Sequence, residues 1–310
     1  MADGRTGELE FLTFRPSGII PPNVTPFTRD GSLDVGALRG SVRFWLESGI
    51  HGLACCASNG EAPYLSREER RAVIEAVIDE VNGRVPVIVG TGSVSTSETI
   101  LLTMDAQSLG AAAALVVTPF FYKPNSKEIH EHFRAILDAV DIPIIPYNVP
   151  KFTGYSIEPS LVAQLAEEYE NVVAVKDSSG SIAQITETIR LCGRRISVLA
   201  GTADLILPTL EMGGKGGIVA VANVAPRMCV ELYDAFMKKD LKKARDLQIK
   251  ITYLNEVLVK RYNQLSAIKE SLNLIGVKVG QPRRPSLPLD EKAREDVSKT
   301  LIELGLMPPK

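Results

Sequence analysis

Strand-like and helix-like segments alternate eight times over about 220 residues, and this alternation restricts the fold more than any other feature of the chain. Short apolar runs read as buried strands at 19–24, 52–56, 85–90, 113–118, 142–148, 172–175, 196–200 and 217–221. Between them lie segments with helical spacing, at 34–48, 66–81, 95–110, 126–140, 158–169, 182–192, 203–212 and 226–238. Ser66-x-x-Glu69 and Ser95-x-x-Glu98 mark two of the helix starts as capping boxes. Short loops between alternating elements call for a parallel sheet. Eight such units fit a closed (β/α)8 TIM barrel better than an open, doubly wound sheet. The open sheet also lacks a dinucleotide fingerprint. Gly213-Gly214-Lys215-Gly216-Gly217 precedes a strand instead of following one, so it reads as a tight turn. After residue 239 the text is helical, at 240–260, 262–276 and 290–304, with a proline-rich link at 281–288. The expected organisation is a loose N-terminal segment (1–17), a barrel (18–238) and a C-terminal helical extension (239–310) without a core of its own. Pro146 is out of place in a central strand, because it removes a ladder donor; it is expected at the mouth end, where pairing stops.

The totals exclude several classes of function. A net charge of −2 draws the chain to neither nucleic acid nor anionic lipid. The four cysteines, Cys55, Cys56, Cys192 and Cys229, have no C-x-x-C spacing, which speaks against structural zinc and a disulfide framework and fits a reducing compartment. His51, His130 and His132 are too scattered for a metal site, and the last two are expected on the solvent side of a helix. The acidic N-terminus lacks a signal pattern, and the longest apolar run, 111–117, is too short to span a bilayer. A cytoplasmic protein is expected.

In such a barrel the active site lies at the C-terminal ends of the strands. Asn171–Gly180, N-V-V-A-V-K-D-S-S-G, carries a lone lysine, Lys176, at one such end. Alternation would put Val172, Ala174 and Lys176 on one face and Val173, Val175 and Asp177 on the other. A lysine that merely ends a strand and reaches water is the common case. A desolvated amine, by contrast, is a nucleophile toward carbonyls. The other strand ends supply Thr25, then Ser58-Asn59-Gly60-Glu61, Thr91, Phe120-Phe121-Tyr122, Tyr147-Asn148, Gly201-Thr202, and Ile218 with Val219. One lysine, one phenol and small hydroxyls suit Schiff-base chemistry, in which a protonated imine stabilises a neighbouring carbanion. Taken singly, Tyr147 reads as a core aromatic and Ser58-Asn59-Gly60 as a turn. The convergence carries the reading.

These residues stand in an ordered series of motifs: T-P-F at 25–27, S-N-G-E at 58–61, G-T-G at 90–92, V-T-P at 117–119, Y-N-V-P-x-x-T-G at 147–154, V-K-D at 175–177, L-A-G at 199–201 and A-N-V at 222–224. The series resembles the dihydrodipicolinate synthase / N-acetylneuraminate lyase family over about residues 18–305. The resemblance implies that Lys176 forms the imine with pyruvate or a 2-keto acid, that Tyr147 moves the proton, and that Ser58 and Asn59 seat the carboxylate with Gly60. Gly201, Ile218 and Phe152 complete the expected substrate contacts, Gly201 by leaving room at the mouth. No metal or organic cofactor and a homotetramer are also implied. Three positions depart from the synthases: Phe152 replaces an arginine, Ser58-Asn59 replaces two threonines, and Phe121 replaces a tyrosine that a neighbouring subunit lends to the proton relay. Tyr122 or water would have to stand in for that tyrosine. Lys151 is expected to point elsewhere. S-N-G-E is similar to the 4-hydroxy-2-oxoglutarate and 2-keto-3-deoxy sugar-acid aldolases, so cleavage or condensation of such acids is expected, with weak activity toward aspartate semialdehyde. The alternatives are a 4-hydroxy-tetrahydrodipicolinate synthase and a keto-acid binder with little turnover. A phosphate-binding barrel is disfavoured, because Ala203-Asp204 makes a poor anion cradle.

Overall fold

A computed structural model describes residues 14–309. The expected loose N-terminal segment therefore lies almost wholly outside the described residues. Eight parallel strands alternate with eight helices: β1 (Gly18–Ile19), α1 (Val35–Glu47), β2 (Leu53–Cys55), α2 (Arg67–Val81), β3 (Val87–Gly90), α3 (Thr96–Ser108), β4 (Ala113–Val117), α4 (Ser126–Leu137), β5 (Ile144–Asn148), α5 (Pro159–Glu168), β6 (Ala174–Asp177), α6 (Ile182–Cys192), β7 (Ser197–Ala200), α7 (Ile206–Glu211), β8 (Gly216–Gly217) and α8 (Pro226–Met237). The ladder runs β1-β8-β7-β6-β5-β4-β3-β2. Hydrogen bonds from His51 N to Ile19 O, Ala54 N to Pro21 O and Asn23 N to Ala54 O, each 2.9 Å, close it between β1 and β2. The expected (β/α)8 barrel is what forms. No helix among the described residues is long and apolar enough to cross a membrane.

The glycine run at 213–217 is the expected helix-to-strand turn, and it is what lets the barrel close. Gly216 has φ +140°, and a Cβ there would meet Gly18 O at 2.0 Å. Only glycine permits β1 and β8 to pair so closely.

Pro146 is not at the mouth. It sits inside β5, paired with Val116. The opposite neighbour adapts instead. Ile144 pairs with Val172, but Tyr147 pairs with Lys176, so Ile145 and Pro146 face three residues, Val173, Ala174 and Val175. This is a β-bulge beside a residue with no N–H to give. The bulge also corrects the expected alternation. Val172 and Val175 pack outward in the layer between sheet and helices, while Val173 and Ala174 both pack into the barrel interior. Lys176 then faces inward beside Tyr147, and Asp177 turns toward α6, where Gln184 donates to it at 2.9 Å.

Three further helices follow: α9 (Leu241–Asn255), α10 (Gln264–Leu274) and α11 (Glu291–Glu303), with a π-helical turn, Glu256–Arg261, between α9 and α10. Ile251, Leu254, Ile268, Leu272 and Val297 join one apolar cluster with Val24, Trp45 and Val221 of the barrel. The extension thus shares the barrel's outer core.

His132 departs from its expected solvent-facing position: it is buried between α3 and α4, with Nδ1 2.9 Å from Thr96 Oγ1. Burial holds its pKa down at about 4, against 6.5 in water. Between those values the unfolded chain takes up a proton that the folded chain refuses. The stabilisation is complete above pH 6.5 and is lost as the pH falls toward 4. His132→Phe should flatten the decline of thermal midpoint across that window, as read by calorimetry; an unchanged slope would assign the acid sensitivity elsewhere.

Candidate active site

At the C-terminal rim of the strands lies a cavity of about 520 Å³. Its walls include Ser58, Tyr147, Phe152 and Phe120 from the barrel, together with Val259, Lys260, Asn263 and Gln264 from the extension. The C-terminal helices therefore build part of the site that the strand ends begin.

Lys176 is 3% exposed and Tyr147 is 5% exposed. Their strands pair with these two residues in register, which sets them side by side on the inner face. Lys176 Nζ stands 3.9 Å from the centroid of the Tyr147 ring. Among the described residues no carboxylate lies within 4.0 Å of that nitrogen; the nearest in sequence, Asp177, is engaged by Asn148, Ser179 and Gln184. Burial pushes the Tyr147 phenol up, but the Lys176 charge and the hydroxyls of Ser178 and Ser58 outweigh it, so the phenol ionises below its usual 10. Tyr147 lines the cavity, and the Lys176 amine packs against its ring.

Ser58, Asn59 and Gly60 form one 3-10 turn after β2. Ser58 faces the cavity, and Asn59 is buried with Oδ1 accepting from Gln264 Nε2 at 2.5 Å. Gly60 is fixed by Thr25 Oγ1, which donates to its carbonyl at 2.7 Å. The turn ends in Glu61, whose φ of +56° is unusual for a residue with a side chain. What holds it there is a cluster from the extension. Glu61 Oε1 lies 2.6 Å from Lys269 Nζ, both side chains being shielded from water, and Glu61 Oε2 accepts from Arg283 N at 2.7 Å. Lys269 and Arg283 also stack on Phe27, each 4.2 Å from the ring centroid.

Gly201 and Ile218 are not on the cavity wall. A Cβ at Gly201 would meet Ser178 Oγ at 1.9 Å, so this glycine makes room for the loop after β6. Ile218 is buried in the barrel interior. Phe152 does reach the cavity, half exposed. Lys151, expected to point elsewhere, is on the wall as well: its Nζ donates to Val259 O at 3.0 Å and to Gln264 Oε1 at 3.4 Å. Phe121 and Tyr122 stand away from it, 87% and 81% exposed, with Phe121 at φ +86°.

Sequence reading missed Gln264, Lys269 and Arg283. Only Lys269 left a trace: it shares a helical stripe with Leu265 and Leu272, where a lysine does not belong unless it is paired. Among the described residues no group of three or more His, Cys, Asp or Glu could hold a metal ion.

Residues 15–304 match the model of the dihydrodipicolinate synthetase family. A 4-hydroxy-tetrahydrodipicolinate synthase of Methanopyrus kandleri is 40% identical over 96% of this chain and 99% of its own length. One of Syntrophus aciditrophicus is 41% identical over 94% and 99%. The crystal structure of a dihydrodipicolinate synthase from Thermotoga maritima superposes with a TM-score of 0.92 at 34% identity, covering 95% of this chain and all of that one. A prophage protein of the same family from E. coli K12, crystallised with pyruvate, gives 0.90 at 34% identity over 94% and 99%. These names favour the synthase alternative over the expected sugar-acid aldolase branch. The chain belongs to the dihydrodipicolinate synthetase family and is a pyruvate-dependent class I lyase.

Proposed function

We propose that the chain condenses pyruvate with an aldehyde through an imine on Lys176, and that aspartate semialdehyde is the aldehyde, as in a 4-hydroxy-tetrahydrodipicolinate synthase. The observation that carries the chemistry is a buried lysine nitrogen over a phenol ring with, among the described residues, no carboxylate within 4.0 Å. The synthase names of relatives matched over nearly their full length support the choice of aldehyde.

In this reading pyruvate enters the cavity beside Tyr147. The Lys176 amine, once it has given up its ammonium proton, adds to the keto carbon and water leaves, giving an imine. A proton then leaves the methyl carbon, the electron pair settling into an enamine. That carbon bonds to the aldehyde carbon, whose oxygen takes up a proton, and hydrolysis frees the lysine. Tyr147 moves these protons. Ser58 and the backbone of its turn seat the keto acid's carboxylate, and Asn59, held by Gln264, fixes the turn. The imine on Lys176 takes the place of a metal or organic cofactor. A cytoplasmic setting belongs to the same proposal, supported by four buried free thiols.

A second reading, cleavage of a 2-keto-3-deoxy or 4-hydroxy-2-keto acid, is favoured by Phe152, which offers no cation to a distal carboxylate. Condensation with aspartate semialdehyde, assayed beside pyruvate release from a panel of such acids, separates the two. The synthase reading expects the first to be faster; preferential release from the sugar acids would reverse it. Phe121 and Tyr122, two large rings projecting together into solvent, support assembly with further copies of the chain, with a homotetramer as the proposed form.

Tyr147→Phe should lower kcat by about a hundredfold and leave the KM for pyruvate nearly unchanged. An alkaline limb below pH 10 in the wild-type pH profile should vanish with it. Steady-state kinetics from pH 6 to 10 check both; an unaltered kcat would remove the phenol from the relay.

A further inference from the structure

Cys55 and Cys56 are adjacent thiols that the proposed mechanism does not use. Along a strand, neighbouring side chains point to opposite faces. These two do not. Cys56 follows the last residue of β2 with φ +50°, a left-handed conformation unusual for a residue with a side chain. Gly90 of β3 permits it, since a Cβ there would meet Cys56 O at 2.2 Å. Both cysteine side chains therefore pack in the layer outside the strands, while Ala54 and Ala57, on either side of them, face the barrel interior. The Cys55 thiol donates to the Cys56 sulfur.

Cys56 also lines the active-site cavity, two residues before Ser58. Its sulfur lies 3.8 Å from Arg70 O, and the Arg70 guanidinium donates to Ala62 O at 2.7 Å and Gly90 O at 3.4 Å. Those partners are neutral carbonyls, so the guanidinium charge is left to favour an anion beside it. The bond from Cys55, helped by the Arg70 charge, outweighs burial and holds the Cys56 thiol below its usual range; the same bond, with burial, pushes Cys55 up. Cys192 and Cys229 are off the cavity wall, and burial pushes them up to about 11 and about 12.

We propose that Cys56 is a reversible oxidation site on the cavity wall, with Cys55 as the thiol that resolves it, and that the resulting disulfide displaces the turn of Ser58. The oxidant is hydrogen peroxide, small enough to follow the cavity to Cys56. The Cys56 thiolate attacks one peroxide oxygen. The S–O bond forms, the O–O bond breaks, and the departing hydroxide takes a proton and leaves as water; the peroxide is reduced and Cys56 becomes a sulfenic acid. The Cys55 sulfur then attacks the Cys56 sulfur. The S–S bond forms, the S–O bond breaks, and the Cys55 proton leaves with the hydroxyl as a second water. Neighbouring residues on a trans peptide hold their Cα atoms about 3.8 Å apart, short of the roughly 4.4–6.8 Å that relaxed disulfides span. The small ring therefore strains the backbone at Cys56, which moves Ser58 just beyond it and makes the bond easy to reduce.

Titration of the reduced protein with hydrogen peroxide, followed by alkylation, proteolysis and mass spectrometry, reads the site without turnover. The peptide carrying Cys55 and Cys56 is expected at the mass of its internal disulfide, at peroxide concentrations that leave Cys192 and Cys229 as thiols, and dithiothreitol should restore it. Cys55→Ala should instead leave Cys56 as a sulfenic acid that dimedone captures, and Cys56→Ala should leave Cys55 unoxidised. Borohydride trapping of pyruvate, a readout that rests on the proposed imine chemistry, then measures the consequence. The oxidised wild type should need about tenfold more pyruvate for half-saturation, the worth of about one hydrogen bond to the carboxylate, and reductant should reverse the shift. Oxidation of the four thiols at one rate, or of Cys192 and Cys229 first, would overturn the site. A disulfide that forms without changing pyruvate capture would overturn the displacement of the turn. Absence of any pyruvate adduct before oxidation would overturn the imine chemistry, while the peptide masses still decide the oxidation site.

Discussion

Lys176→Met is expected to abolish pyruvate capture and turnover together, lowering kcat by at least about a thousandfold. Methionine matches the length and apolar stem of the lysine, so the barrel interior stays filled. What it lacks is the amine. Among the described residues the native nitrogen has no ion pair within 4.0 Å, so its removal strands no buried carboxylate there. The variant should therefore fold with a thermal midpoint at or above that of the wild type, and this separates loss of chemistry from loss of structure. Stopped assays of pyruvate consumption, beside calorimetry, read the two effects. Retention of more than a few per cent of wild-type kcat in a folded variant would place the nucleophile elsewhere.

The second large effect concerns stability. Lys269→Met should lower the unfolding free energy by about 3 kcal/mol or more, a fall in midpoint on the order of 5–10 °C. Burial outweighs the attraction of Glu61 and holds the Lys269 ammonium down at about 8, so the pair is expensive to bury. Deleting one partner is worse, because Glu61 keeps its position and loses its counter-charge. Glu61 closes the turn of Ser58–Gly60, so the KM for pyruvate should rise in the same variant. The double replacement Glu61→Gln with Lys269→Met should recover much of the stability, since it removes both buried charges. It should not recover the KM, because the tether is still gone. Calorimetry on the two singles and the double gives the coupling directly; simple additivity would mean that the pair is not a unit.

The barrel was legible because its rule is local. Each strand and helix announces itself by period and by punctuation, and the number eight follows from counting. Lys176, Tyr147 and Ser58 were legible for the same reason: each stands at the end of an apolar run. What the sequence hid depends on contacts distant along the chain. The bulge opposite Pro146 arises only once β5 and β6 are paired, and it changes which valines face inward. Gln264, Lys269 and Arg283 reach the site from a helical tail, about 200 residues after the turn they hold. Lys151 looked peripheral because a one-turn helix gives no reliable direction for a side chain; the carbonyl that aims it belongs to a π-helical turn with no sequence signature. Phe152 invited the sugar-acid reading by lacking a charge, yet its neighbour supplies one.

The central claim is that the nitrogen of Lys176 is the atom that bonds to the keto acid. Borohydride added to the wild-type protein with pyruvate, followed by proteolysis and mass spectrometry, should find one reduced pyruvate per chain, attached to the peptide that carries Lys176. A protein left unmodified, or an adduct on Lys151, Lys260 or Lys269 instead, would contradict the account.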